Sequence, residues 1–184
     1  MILWDEAWNW ALGYCGPEVN IGNHCTFTLP HKLILREKVR IDPGVLITSG
    51  MVCHGENHIC TGVWVNGGED AVFTMGTGSF VGAHAKILNA SDDYRHLVGP
   101  WSGNPMLRGN ITFSAHSGVA VNVVVLPGVV LPEGCTIGAN SLVSPRDALE
   151  PWTTYAGGNM GPDGKRSPLV KLYDRTEARK ESHA

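Results

Sequence analysis

The chain has 184 residues, enough for one domain, and its 14 basic against 17 acidic residues give a net charge of −3, which offers no basic field for nucleic acid to follow. Charged residues make up only 17%, against about 25% in an average globular protein, while 23 Gly and 11 Pro make the chain rich in turns. The 43% hydrophobic content excludes disorder and no apolar run is long enough for a membrane-spanning helix, which leaves a soluble, β-leaning domain.

The amino terminus, Met1 to Trp10, has no cationic segment ahead of an apolar stretch, so it does not read as a secretory signal and the expected compartment is the cytoplasm. Trp4, Trp8, Ala11 and Leu12 fall at three- and four-residue steps, which predicts a short amphipathic helix within an N-terminal segment over 1–18. The body spans 19–160. From Ile111 to Ser144 it carries a single charge, Glu133, whereas the tail over 161–184 carries ten from Asp163 onward. That tail, from Leu169 to Glu181, is expected to form a second short helix. The five cysteines (Cys15, Cys25, Cys53, Cys60, Cys135) are odd in number, and none stands in a Cys-x-x-Cys or close Cys/His pair of a zinc-holding kind. They read as small buried hydrophobes, and no metal is expected.

Within the body the sequence repeats every six residues. Units open at Phe113, Val119, Val125, Leu131, Ile137 and Val143, and an earlier run opens at Met75, Val81 and Ile87. Weaker units open at Ile21, Leu35, Ile41, Ile47, Ile59 and Val65. An aliphatic or aromatic residue stands first, Gly, Asn or His fourth, and a small residue fifth. An amphipathic helix would step by about 3.6 residues, so a six-residue step argues instead for a three-sided coil of short strands. The first residue then points inward and stacks on its equivalents above and below. The fourth turns a corner through positive φ, and the fifth must be small because it also points inward.

These hexapeptides, above all Val125-Leu-Pro-Gly-Val-Val and Ile137-Gly-Ala-Asn-Ser-Leu-Val-Ser-Pro, resemble the hexapeptide-repeat acyltransferases. The likeness is to the branch of maltose, galactoside and xenobiotic O-acetyltransferases and surface-polysaccharide acetyltransferases. The segment Pro151 to Asn159 resembles that family's closing element. The resemblance implies an all-β, left-handed parallel β-helix, a homotrimer, acetyl-CoA as acyl donor, and a sugar or glycan acceptor. The left hand comes from the resemblance alone, since parallel crossovers are generally right-handed.

The hexapeptide frame is interrupted once at length, over 91–110, and a loop inserted into a stack of coils can project a site at little cost. Ser91-Asp92-Asp93-Tyr94 is similar to an element of the polysaccharide branch, where the excursion helps to enclose the acceptor. Better-described members place a catalytic histidine where this chain has Asp92 or Asp93. Acyl transfer to a hydroxyl needs a base within hydrogen-bond reach and a donor for the oxyanion, and histidine suits that work near neutral pH. His116 and His84, both at the fourth place of a unit, are therefore the candidate bases, with Asp92 or Asp93 orienting His116 across a subunit interface. Ser91, Tyr94, His96 and Trp101 are candidate acceptor contacts, and Trp64 is a further aromatic that a sugar could stack on. For the acyl-CoA, the resemblance points to Gly118, Ala120, Ala139, Ser141, Ser144 and Arg146, with Lys165 and Arg166 placed to meet phosphates.

Other classes read less well. A γ-class carbonic anhydrase needs three converging histidines, but His54 and His58 are separated by three residues and that family's His-x4-His spacing is absent. A non-catalytic β-helix scaffold remains a third class. The first twenty residues hold no Gly-rich turn after a strand, the mark of an added nucleotide-binding unit, which favours a hydroxyl acceptor over the alternative, an amino group on a nucleotide-linked sugar.

Overall fold

The structure is a computed structural model, and it describes residues 2–3, 11–93, 105–159, 161, 163 and 165–176. The chain winds into a parallel, left-handed β-solenoid of about seven turns, as the hexapeptide pattern and the resemblance led us to expect. Among the described residues no helix is long and apolar enough to cross a membrane.

Each undisturbed turn takes eighteen residues, so that Ile41 pairs with Ile59, Val119 with Ile137 and Ile137 with Tyr155. The inward residues form three columns. The first face stacks Ile21, Ile41, Ile59, Val81, Val119, Ile137 and Tyr155. The second stacks Phe27, Ile47, Val65, Ile87, Val125 and Val143. The third stacks Cys15, Leu35, Cys53, Met75, Phe113 and Leu131. Nearly all are fully buried, and Phe113 meets Phe73 edge to face with ring centroids 4.9 Å apart.

The small fifth residues are buried as expected, among them Ser79, Ser117, Cys135 and Ser141. The fourth residues do turn corners at positive φ, His24, His84 and His116 among them, and Lys38, Glu56 and Trp152 adopt the same conformation. A single left-handed residue costs about 1–2 kcal/mol, and the stacked corner hydrogen bonds, such as His84 N to Thr61 O and His116 N to Thr77 O, offset it.

Ile2–Leu3, Tyr14–Cys15 and Leu169–Asp174 are strands where helical terminal segments were expected. Ile2–Leu3 is a strand antiparallel to Asn20–Ile21, and Tyr14–Cys15 already belongs to the solenoid, which therefore starts before residue 19. Residues 4–10, with Trp4 and Trp8, lie outside the described residues. In the tail, Leu169–Asp174 is a strand antiparallel to Thr153–Gly157. A solenoid ends in open rows of backbone donors and acceptors. Pairing Leu169, Val170, Lys171, Tyr173 and Asp174 with that edge satisfies them, which a free amphipathic helix would not do. The first face is thus closed at both ends by antiparallel strands. The cysteine reading is corrected as well. Cys53 and Cys135 are buried, but Cys15, Cys25 and Cys60 are half-buried.

Candidate functional site

All departures from the eighteen-residue turn fall at one corner, between the second and third faces. Inward residues on either side of that corner are six apart in the regular turns, as with Ile47 to Cys53 and Val125 to Leu131. They are eight apart from Phe27 to Leu35, ten from Val65 to Met75 and twenty-six from Ile87 to Phe113. Three insertions therefore lie one above another: the 3-10 turn Pro30–Lys32, the loop inside Trp64–Met75, and the long excursion. They are tied together. Lys32 Nζ donates to Glu69 O at 2.9 Å, Arg108 forms an ion pair with Asp70, and Val72 N donates to Asn110 Oδ1 at 3.0 Å.

The excursion is a two-stranded arm, with Ala90–Asp92 antiparallel to Met106–Arg108. Its root is held by asparagines. Asn89 is fully buried, its Oδ1 accepts from Ile111 N at 3.1 Å, and its carbonyl accepts from Gly109 N at 2.9 Å. Asn66 below it donates Nδ2 to Ala90 O at 3.1 Å. With the backbone of both arm strands fastened to a fully packed coil, the arm leaves the prism in a fixed direction.

Two recesses border the arm. The larger is a cleft of about 600 Å³ lined by Leu107 and Arg108 of the arm, Leu126 and Pro127 of one corner, Ser144, Pro145 and Arg146 of the next, and Arg166 of the tail. Arg166 is held bidentately by Asp147, at 2.8 and 2.7 Å, and donates to Leu142 O at 2.6 Å. Burial pushes the Asp147 carboxyl up, but the bonds from Arg166 and Ser144 N outweigh it and hold the group below the ordinary carboxylate value. Arg146 has no ion-pair partner among the described residues. Three guanidinium groups with apolar Leu and Pro side chains between them suit a ligand with anionic and thin apolar parts.

The smaller recess, about 320 Å³, lies on the second face at the foot of the arm and is lined by Trp64, Asn66, Leu88, Ala90, Ser91, Asp92 and Met106. It sets a part-exposed indole, an amide and a carboxylate around one space, which is the equipment for stacking on and hydrogen-bonding to a sugar.

The predicted residues are dispersed over this frame. Ser91 and Asp92 line the smaller recess, and Ser144 and Arg146 line the cleft. Asp93 is 5% exposed and does not line either recess. His84 and His116 stand on the other two corners of the same prism, His84 between the Phe80–Val81 and Lys86–Leu88 strands and His116 between Ile111–Phe113 and Gly118–Val119. Within one chain, then, neither histidine joins the arm's carboxylates. His84 folds over Gly62 and His116 over Gly78, and His116 lies 6.0 Å from Trp152, measured between ring centroids. Gly118 is buried, and a Cβ there would stand 2.5 Å from the Phe80 ring, so packing explains its lack of a side chain. Ser141 is fully engaged, donating to Gly138 O at 2.7 Å and accepting from Gly157 N at 3.0 Å. Ala120, Ala139 and Lys165 line neither recess. Tyr94, His96 and Trp101 lie outside the described residues. Arg108 and Asp147 were not found from sequence, because their place follows from which turns stack at the corner.

Several solved structures share this fold. AntD, an N-acyltransferase from Bacillus cereus in complex with dTDP and 3-hydroxybutyryl-CoA, superposes with a TM-score of 0.82 at 21% identity, covering 98% of this chain and 94% of that one. A variant of AntD in complex with dTDP-4-amino-4,6-dideoxyglucose and coenzyme A gives the same score, identity and coverage. The hexapeptide-repeat containing acetyltransferase VCA0836 from Vibrio cholerae gives 0.59 at 17% identity over 94% of this chain and 82% of its own. No protein-family model matches the chain, and a search of the curated proteins returns no match. At these identities the likeness establishes the fold.

Proposed function

We propose that this protein is an acyl-CoA-dependent acyltransferase acting on a sugar, with the donor in the arginine-lined cleft and the acceptor in the Trp64–Asp92 recess. The observation that carries the proposal is the arm itself. The two arm strands contribute residues to both a cationic cleft and an aromatic, acidic recess, so both substrates are brought to the same projecting element. Arg146 would pair with a phosphate, beside Arg108 and Arg166 that Asp70 and Asp147 hold in place, while Leu126 and Pro127 flank the thin pantetheine chain, with acetyl the simplest acyl group. The solved proteins of this fold that bind coenzyme A, acyl-CoA or a dTDP-linked amino sugar support this reading by analogy.

Asp92 is the one candidate base that lines a recess, and a carboxylate suits an acceptor that is already nucleophilic, so we place an amino sugar first. The amine attacks the thioester carbonyl, a C–N bond forms, and the tetrahedral intermediate collapses with cleavage of the C–S bond. Asp92 takes the proton from nitrogen, and the departing thiolate of coenzyme A is protonated in turn. The second reading is a hydroxyl of a surface glycan. It rests on His116, an exposed corner imidazole, acting as base and oriented by Asp92 or Asp93 of a neighbouring copy in a trimer.

The test is coenzyme A binding by calorimetry with Arg146→Ala, followed by acyl-CoA consumption over nucleotide-linked amino sugars and neutral glycans with Asp92→Asn and His116→Ala. We expect Arg146→Ala to weaken coenzyme A binding by about tenfold, the loss of one charge-assisted contact. Asp92→Asn should lower kcat by about 100-fold or more on an amine. Unchanged coenzyme A affinity in Arg146→Ala removes the donor site. A loss of turnover in His116→Ala but not in Asp92→Asn moves the acceptor to a hydroxyl.

A further inference from the structure

Away from the arm, on the first face, the solenoid aligns three metal-ligating side chains that the acyl-transfer chemistry does not use. Ile41 and Ile59 pair in adjacent turns and point inward, so their neighbours point outward and stack about 4.8 Å apart. His58 and Cys60 flank Ile59 in one turn, and Asp42 follows Ile41 in the turn before. The result is a carboxylate, an imidazole and a thiol whose ligand atoms all lie within 4.8 Å of one another. His58 Nε2 is 3.0 Å from Asp42 Oδ2 and 3.8 Å from Cys60 Sγ, so it faces both other ligands at once. In the same column the adjacent turns carry Gly22 and Gly82, so no side chain from either turn stands beside Asp42 and Cys60.

We propose that Asp42, His58 and Cys60 form a site for a divalent cation of the zinc class, clipping two adjacent turns together, with water in the fourth position. Zinc–nitrogen, zinc–oxygen and zinc–sulfur bonds of about 2.0–2.3 Å in a tetrahedron set N···O at about 3.4 Å and N···S at about 3.6 Å, so the separations of His58 from Asp42 and from Cys60 each need to change by less than about half an ångström. The mixed nitrogen, oxygen and sulfur donors are those zinc accepts, whereas magnesium and calcium would reject the thiolate. Arg40 Nε donates to Asp42 Oδ1 at 2.8 Å, which ties one carboxylate oxygen and presents the other to His58. The thiolate and carboxylate together outnumber the single charge of Arg40.

Without a cation the group behaves differently. Burial, and then the Asp42 charge, push the Cys60 thiol above its ordinary value, so the free protein holds it protonated. On binding, the thiol gives up its proton to solvent, and the ring nitrogen of His58 that faces Asp42 and Cys60 becomes a ligand. Affinity therefore falls as pH is lowered.

The experiment is titration of the metal-free chain with Co2+, followed by optical absorption, with proton release measured in weakly buffered solution. We expect one cobalt per chain, a sulfur-to-cobalt charge-transfer band in the near ultraviolet, about one proton released, and displacement by Zn2+. Cys60→Ser should lose the band, and Asp42→Asn should weaken binding by at least about tenfold. Circular dichroism of each variant checks that the solenoid is intact, and His58→Gln provides a second test should Cys60→Ser fail to fold. No stoichiometric binding, or a charge-transfer band that survives Cys60→Ser and so arises from another cysteine, overturns the proposal. None of these readouts depends on acyl transfer.

Discussion

The pair between Asp147 and Arg166 fixes the floor of the arginine-lined cleft, and its removal has a calculable cost. The two side chains are 10% and 25% exposed and share two charge-assisted hydrogen bonds at 2.8 and 2.7 Å, while Asp147 also accepts from Ser144 N at 2.7 Å. Exposed pairs contribute about 0–1 kcal/mol, and deleting one partner of a fully buried pair costs about 3–5 kcal/mol. This pair lies between, so Asp147→Ala should destabilise the chain by about 2–3 kcal/mol, a fall in Tm of about 5–10 °C for a chain of this length. A double-mutant cycle with Arg166→Ala, followed by urea unfolding at fixed protein concentration, should give a coupling energy of about 1.5 kcal/mol. The folded pKa of Asp147 is lowered, so its contribution is present above the unfolded value near about 3.9 and is lost as pH falls through the folded value. The coupling should accordingly weaken as pH is lowered beneath the unfolded carboxyl value and be lost once Asp147 is protonated in the folded chain. A coupling below about 0.5 kcal/mol at pH 7 would refute the assignment of the pair as a structural clamp.

Three further outcomes follow from the packing. Phe113→Ala removes a fully buried ring in edge contact with Phe73 at the return point of the excursion, and unfolding measurements should record a loss of about 3–5 kcal/mol. At Gly134, φ is +66° and a Cβ would stand 2.4 Å from Trp152 Cδ2, so Gly134→Ala should cost at least about 1–2 kcal/mol in a thermal melt and shift the tryptophan emission as Trp152 is displaced. Burial opposes ionisation of Asp42, but bonds from His58 and Arg40 hold it below its ordinary value. With Asp147 lowered too, stability should be flat in this respect from about pH 5 to 7 and fall below about pH 4. A urea midpoint rising on acidification would contradict both assignments.

Much of the architecture was legible because a solenoid repeats its physics every six residues. Ile137, Asn140 and Ser141 each announce a place (inward, corner, inward and small), and the structure puts them there. The start of the tail is a strand where a helix was expected, because the residues from Leu169 onward say nothing of the open sheet edge that recruits Leu169–Asp174. The arm was visible as a break in the frame, and Ser91, Asp92, Ser144 and Arg146 were singled out before their recesses could be seen. His84 and His116 shared a place in the repeat, which suggested a shared role, yet they turn different corners of the prism. Cys60 read as an ordinary buried thiol. Its partner His58 is two residues away, but Asp42 is eighteen residues away, and only the turn length brings that carboxylate beside them.

The sequence by itself determined the repeat, the three-sided coil, the inward columns and the presence of one long excursion, since each depends on local periodicity and side-chain size. Tertiary structure alone decided that all three insertions share a corner, that the arm contributes to both a cationic cleft and an aromatic recess, and that Asp42 meets His58 and Cys60. Those relations depend on which turns stack and how many residues each turn contains. That stacking is set by the hydrogen-bond register between strands, which joins positions eighteen to thirty-eight residues apart and leaves no mark on the residues in between.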